Sequence, residues 1–149
     1  MALRTAYMAL HRQSEACFAA HGATADQFVL LATLDQEHAL TQRELARRMP
    51  SDPSTVRAML VLLESRGWVK RDSHPTDARA RTVALTASGK KKFRQLWVVS
   101  EEIRAQMFDA IQPEEAEVLV ASLRRIAEAL NAETVLASGS INSQAEDET

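Results

Sequence analysis

The chain has 149 residues, 46% of them hydrophobic and 26% charged, with 4 Gly, 4 Pro and 1 Cys. That balance suits one globular domain and excludes wholesale disorder and collagen-like structure. A single cysteine excludes an internal disulfide framework and a Cys-rich zinc site, and a formal net charge of -2 by itself selects no partner.

The distribution of charge says more. Residues 41–94 hold 13 Lys/Arg against 5 Asp/Glu, a net +8, whereas residues 95–149 hold 3 against 11, a net -8. A basic block inside an acidic chain is the electrostatic footprint of a polyanion site, although solvated helix faces give the same count.

Helical spacing of Leu3, Ala6, Leu10 and Cys17 predicts a first helix over residues 3–20, ended by Gly22. Thr24 and Gln27 form a capping box for a second helix that stops near Asp35. Thr41 and Glu44 form another, opening a short third helix that Pro50 stops. Asp52 as N-cap and Pro53 at the first helical position open a fourth helix. Its apolar stripe is Val56, Met59, Leu60 and Leu63, and Gly67 terminates it.

The period then changes. Residues 68–71 and 81–85 are strand-like, and the Pro- and Asp-containing stretch between them predicts a hairpin with a long basic loop. Thr86 caps a fifth helix that reaches Ile111, and Pro113 opens a sixth whose first turns carry Glu114, Glu115 and Glu117. From Ala132 the pattern fades into a polar, acidic tail.

Two short helices followed by a basic hairpin make a winged helix-turn-helix. The expected fold is mainly α with a small β-hairpin wing and six helices. In this device the second short helix enters the major groove with its N-terminal residues on the bases. Ser54, Thr55 and Arg57 hold that end, away from the buried stripe. The hydroxyls can donate or accept, and Arg57 can take a guanine with two bonds. Thr41, Gln42 and Arg43, at the start of the third helix, are placed for a backbone phosphate. In an extended loop Asp77, Arg79 and Arg81 share a face, so the acid can orient a guanidinium for a narrow minor groove.

At these residues the sequence resembles the MarR family of bacterial transcription regulators. The resemblance is carried by residues 23–30, 40–46, 54–56 and 63–69, and most specifically by Asp77-Ala78-Arg79 followed by Val83-Ala84-Leu85-Thr86 and Gly89. It covers roughly residues 3–131 and departs from the pattern in Pro53 and in a short first helix. It implies an intertwined homodimer on a pseudo-palindromic operator in double-stranded DNA, usually a repressor released by a small ligand. It implies a dimerisation helix at 1–22, a DNA-binding lobe at 23–86 and dimerisation helices at 87–131; composition alone reads residues 132–149 as an acidic, disordered tail, which the resemblance does not explain. It also implies base contacts by Ser54, Thr55 and Arg57, and a wing contact by Arg79 braced by Asp77. An alternative is a winged-helix protein-interaction module without DNA binding.

His11, Phe28 and Trp97 are candidates for a cleft taking an aromatic acid or its thioester, with plain core packing as the competing role. Cys17 suits a buried small hydrophobe. The histidines His11, His21, His38 and His74 lack metal-ligand spacing, so no metal or cofactor is expected. No nucleophile–base pair, phosphate-binding glycine loop or carboxylate pair points to an enzyme. The longest apolar run, residues 28–32, is far below the ~20 needed to span a bilayer, and no secretory leader opens the chain. A cytoplasmic protein with no membrane partner is expected.

Overall fold

A computed structural model describes the backbone of residues 1–37, 39–73, 76 and 80–143, with side-chain surroundings as far as residue 130. The chain forms two units, Met1–Arg104 and Ala105–Thr149.

In the first unit, α1 (Ala2–Ala19) ends at Gly22, whose φ of 69° is the left-handed conformation that glycine adopts without steric cost. The Ala23 N–H reaches the Phe18 carbonyl and the Gly22 N–H that of Ala19, which satisfies two end carbonyls of the helix. α2 (Ala25–Glu37) follows, with the expected capping box: the Gln27 N–H donates to the Thr24 hydroxyl at 3.1 Å and the Thr24 N–H to Gln27 Oε1 at 3.3 Å.

β1 (Leu40–Thr41) leads directly into α3 (Gln42–Arg48), and α4 (Pro53–Ser65) comes after a four-residue connection. Gly67, again at φ 69°, closes α4 with the same pair of bonds that Gly22 makes, here from Gly67 to Glu64 and from Trp68 to Leu63. β2 (Val69–Ser73) and β3 (Arg81–Leu85) form the antiparallel wing, with Val69 opposite Leu85 and Ser73 opposite Arg81. β1 pairs with the other edge of β3, Leu40 opposite Val83, so the sheet order is β1-β3-β2. A two-residue strand has no period of its own, and sequence patterning did not anticipate β1.

The core sits where α2, α3, α4, the sheet and α5 (Ala87–Val99) meet. Leu30, Leu31, Leu34, Leu45, Val56, Leu60, Leu63, Val83 and Leu96 are sealed from solvent there. The stripe expected on the fourth helix is the buried one, with Met59 at its half-buried margin.

The expected fifth helix is in fact two, α5 and α6 (Glu101–Asp109), so the described residues hold seven helices rather than six. The break falls at Ser100. Its hydroxyl donates back to the Trp97 carbonyl at 3.0 Å, and Arg104 Nη1 donates to the same carbonyl and to Ser100 Oγ, each at 2.6 Å. Side chains thus take over a carbonyl at the end of α5, and Glu101 and Glu102 lie at the favourable N-terminal end of α6.

In the second unit, α7 runs Pro113–Ser143, and the Gln112 N–H donates to Glu115 Oε2 at 3.0 Å at its start. The helix continues past Ala132, where sequence patterning placed the onset of a disordered tail; residues 144–149 lie outside the described residues. Among the described residues no helix is long and apolar enough to cross a membrane, and no cluster of His, Cys, Asp or Glu could hold a metal ion.

Candidate nucleic-acid interface

Two capped helix N-termini build the site. At α3 the capping box is complete: Thr41 Oγ1 accepts from the Glu44 N–H at 3.2 Å and Glu44 Oε2 accepts from the Thr41 N–H at 2.8 Å. Thr41 and Gln42 are half-buried and Arg43 is exposed. The Thr41 hydroxyl also donates to Glu44 Oε2 at 2.7 Å, so its proton is committed within the cap.

α4 begins at Asp52, whose Oδ1 accepts from the backbone N–H groups of Ser54 and Thr55 at 2.9 and 3.0 Å. The same carboxylate takes both hydroxyls: Ser54 Oγ donates to Oδ1 and Thr55 Oγ1 to Oδ2, each at 2.5 Å. These side-chain bonds, Ser54 first, and the helix amides hold the Asp52 carboxyl well below the usual carboxylate range. It is ionised at neutral pH. The sequence identifies Asp52 as a cap but gives no hold on the two hydroxyls. The signal was there: an Asx cap with hydroxyls two and three positions on has both within reach.

Ser54, Thr55 and Arg57 are all exposed, whereas Val56 between them is fully buried. The predicted split of α4 into a packed face and a free face therefore holds at its N-terminal end. Several neighbouring cations are already engaged. Arg48 pairs with Glu37, Lys70 with Asp72 and Arg71 with Glu64. The Arg71 guanidinium lowers the Glu64 carboxyl from its ordinary value, and Glu64 in turn raises Arg71. Arg66 donates to the Gly22 carbonyl at 2.8 Å and Lys92 to the His21 carbonyl at 3.0 Å, and both lie over the Trp68 ring. Lys92 is thus a structural clamp, not a free phosphate donor. Arg57, by contrast, has no ion pair or hydrogen bond among the described residues.

In the wing, Arg81 is exposed at the first position of β3, on the side shared with Val83 and Leu85. Asp77 and Arg79 lie outside the described residues, and their expected alignment with Arg81 stays an expectation from sequence.

Of the three cleft candidates, two come together. Phe28 stacks on Phe18, Phe93 and Trp97 with ring centroids at 4.7, 5.8 and 6.4 Å. Trp97 is 47% exposed, and its ring carries the Arg104 guanidinium 3.8 Å from its centroid. His11 stacks instead on Tyr7, one turn away on α1, and joins no ring contact of that cluster among the described residues. Cys17 donates its thiol to the Val99 carbonyl at 3.2 Å and packs at the core margin.

Known proteins place this arrangement. The family model described as "MarR family" matches residues 23–80, which contain α2, α3, α4 and β2. The transcriptional regulator HosA of Escherichia coli O111:H- is 26% identical over 103 residues, covering 69% of this chain and 76% of its own length. The HTH-type transcriptional repressor MdtR of Bacillus subtilis (strain 168) is 31% identical over 94 residues, covering 63% and 61%. The solved structure of Sco3205, a MarR family transcriptional regulator from Streptomyces coelicolor in complex with DNA, superposes with a TM-score of 0.78 at 26% identity, covering 87% of this chain and 86% of that one. Residues 23–80 thus match the MarR family, and the three-stranded wing and the two capped helices are similar to those of its solved members.

Proposed function

We propose that this protein is a dimeric, sequence-specific DNA-binding repressor, with α4 as its recognition helix and the β2–β3 hairpin as its wing. The observation that carries the reading is the free face at the start of α4. There Ser54, Thr55 and Arg57 stand exposed on a helix whose other face is locked in the core, and among the described residues Arg57 has no ion pair, whereas Arg48 and Arg71 do. Arg57 supplies a two-pronged donor for guanine O6 and N7. Gln42 and Arg43 hold a phosphate at the start of α3, beside Thr41, whose N–H and hydroxyl proton are both taken by Glu44, and Arg79, Asp77 and Arg81 form the wing contact. That Sco3205 is solved with DNA and that MdtR is a repressor supports DNA binding over the alternative of a protein-interaction module.

Exposed apolar side chains support the dimer. Leu3 and Tyr7 on α1 and Val118, Leu119 and Ile126 on α7 are each about half exposed or more, and a second copy of the chain would cover them. Release by a small ligand is the finer part of the proposal. The Phe28–Phe93–Trp97 cluster, with Arg104 over Trp97, offers apolar walls and a cation to an aromatic acid or its thioester, in place of the three-residue set that included His11.

The test is equilibrium binding to a duplex selected from a randomised pool. Wild-type protein should bind with two chains per duplex. Arg57→Ala should weaken binding by about 1–3 kcal/mol and relax the preference at one position in each half-site. An Arg57→Ala variant with unchanged affinity and unchanged preference would remove α4 from the interface.

A further inference from the structure

The proton of the Thr55 hydroxyl has a fixed direction. A hydroxyl has one hydrogen and two lone pairs, and an ionised carboxylate only accepts. At 2.5 Å from Asp52 Oδ2, the Thr55 hydrogen lies between the two oxygens. What Thr55 turns outward, from an exposed position at the reading end of α4, is lone pairs only.

That restricts what it can touch. Phosphate oxygens, thymine O4 and the guanine O6/N7 edge are all acceptors, and each meets Thr55 with unfavourable lone-pair contact. The donors on the major-groove edge are the exocyclic amines, N6–H of adenine and N4–H of cytosine. The Asp52 charge behind the hydroxyl acts in the same sense, since it favours a partner that presents hydrogen.

We propose that Asp52 is a positioning residue for sequence readout: it fixes Thr55 as an acceptor, so that each half-site carries an amino base, adenine or cytosine, where Thr55 meets the groove. The proposal rests on α4 being the recognition helix.

Asparagine at this position makes the idea testable without losing the cap. Asn caps helices as well as Asp does. Oδ1 receives the Ser54 and Thr55 N–H groups, so the amide of Asn must keep its oxygen there and turn its nitrogen to the Thr55 hydroxyl. The amide nitrogen donates. Thr55 must then accept from it, and its own proton is released toward the groove, where it suits guanine or thymine.

The experiment is parallel selection from a randomised duplex pool with the full chain as wild type, Asp52→Asn and Thr55→Val, with thermal denaturation confirming that each variant folds. The position read by Thr55 is the one whose preference Thr55→Val erases. Every base pair holds one amino and one keto base, so the readout is their order: the strand that carries the amino base at that position in the wild-type selection should carry guanine or thymine with Asp52→Asn, by a factor on the order of tenfold, with the other positions unchanged. A merely structural Asp52 would change affinity evenly across positions and switch none. The proposal is overturned if Asp52→Asn selects the wild-type base pair in the wild-type order, or if Thr55→Val erases no preference. If wild type enriches no duplex at all, the DNA-binding reading falls and takes this proposal with it, an outcome distinct from the other two because it appears in the wild-type arm alone.

Discussion

Gly89→Ala should cost about 3 kcal/mol of folding stability, at the upper end of what overpacking does. Gly89 is buried in the first turn of α5, and a Cβ there would lie 1.8 Å from the Trp68 carbonyl oxygen and 2.8 Å from its carbon. Both atoms are backbone, so no rotamer change relieves the clash. The contact is close because Thr86, the cap of α5, holds the same stretch: its N–H donates to the Trp68 carbonyl at 3.1 Å and its hydroxyl to that of Gly67 at 2.5 Å. Alanine would gain up to ~1 kcal/mol of helix propensity over glycine, and the steric term outweighs it. Relief requires α5 to lift from the base of the wing, so DNA affinity should fall together with the urea midpoint. A variant as stable as wild type would show that α5 and the Trp68 backbone do not approach as described.

Leu60→Ala should cost about 3–4 kcal/mol. Leu60 is fully buried, on the packed side of α4 among Leu45, Val56, Leu63 and the sheet. Truncating a leucine in such a site loses its transfer free energy and leaves a cavity that neighbours fill only partly. The next residue provides the control. Val61 is 52% exposed on the same helix, and Val61→Ala should change stability by no more than about 0.5 kcal/mol. The pair, measured by chemical denaturation, checks the orientation of the recognition helix independently of any DNA. Equal losses at both positions would mean that α4 is rotated about its axis.

Much of this was legible before any coordinates. The caps at Thr24, Thr41, Asp52 and Thr86 are local chemistry: a short oxygen-bearing side chain meets free N–H groups two or three residues on, and nothing distant is needed. Gly22 and Gly67 are legible for the same reason, as is the change of period from helix to strand after Trp68. What sequence did not disclose depends on partners far along the chain or on the direction of one bond. β1 exists because Leu40 and Thr41 find β3 some 40 residues later. The break at Ser100 comes with neither Gly nor Pro to mark it, after Val98 and Val99, whose β-branched side chains are only moderate helix formers. Ser100 followed by Glu101 and Glu102 is itself an N-terminus signature, which competes with the continuous apolar stripe from Phe93 to Met107. The acceptor role of Thr55 and the clamp made by Lys92 are matters of geometry that residue type alone leaves open.

The wing is where sequence carries the most and structure the least. Asp77 and Arg79 enter through the match to the family pattern, and Arg81 alone is placed, exposed at the loop end of the wing's strands. Their contribution, like those of Arg43 and Arg57, is electrostatic and adds to one measurable quantity. The proposed function makes the residues from Thr41 to Thr86 a cationic clamp on duplex DNA, and the salt dependence of binding tests this most directly. With about six phosphates contacted by a dimer, log K should fall linearly with log salt, and affinity should drop about a thousandfold between roughly 50 and 200 mM. A protein that binds no duplex at low salt, or binds with a flat salt dependence, contradicts the account.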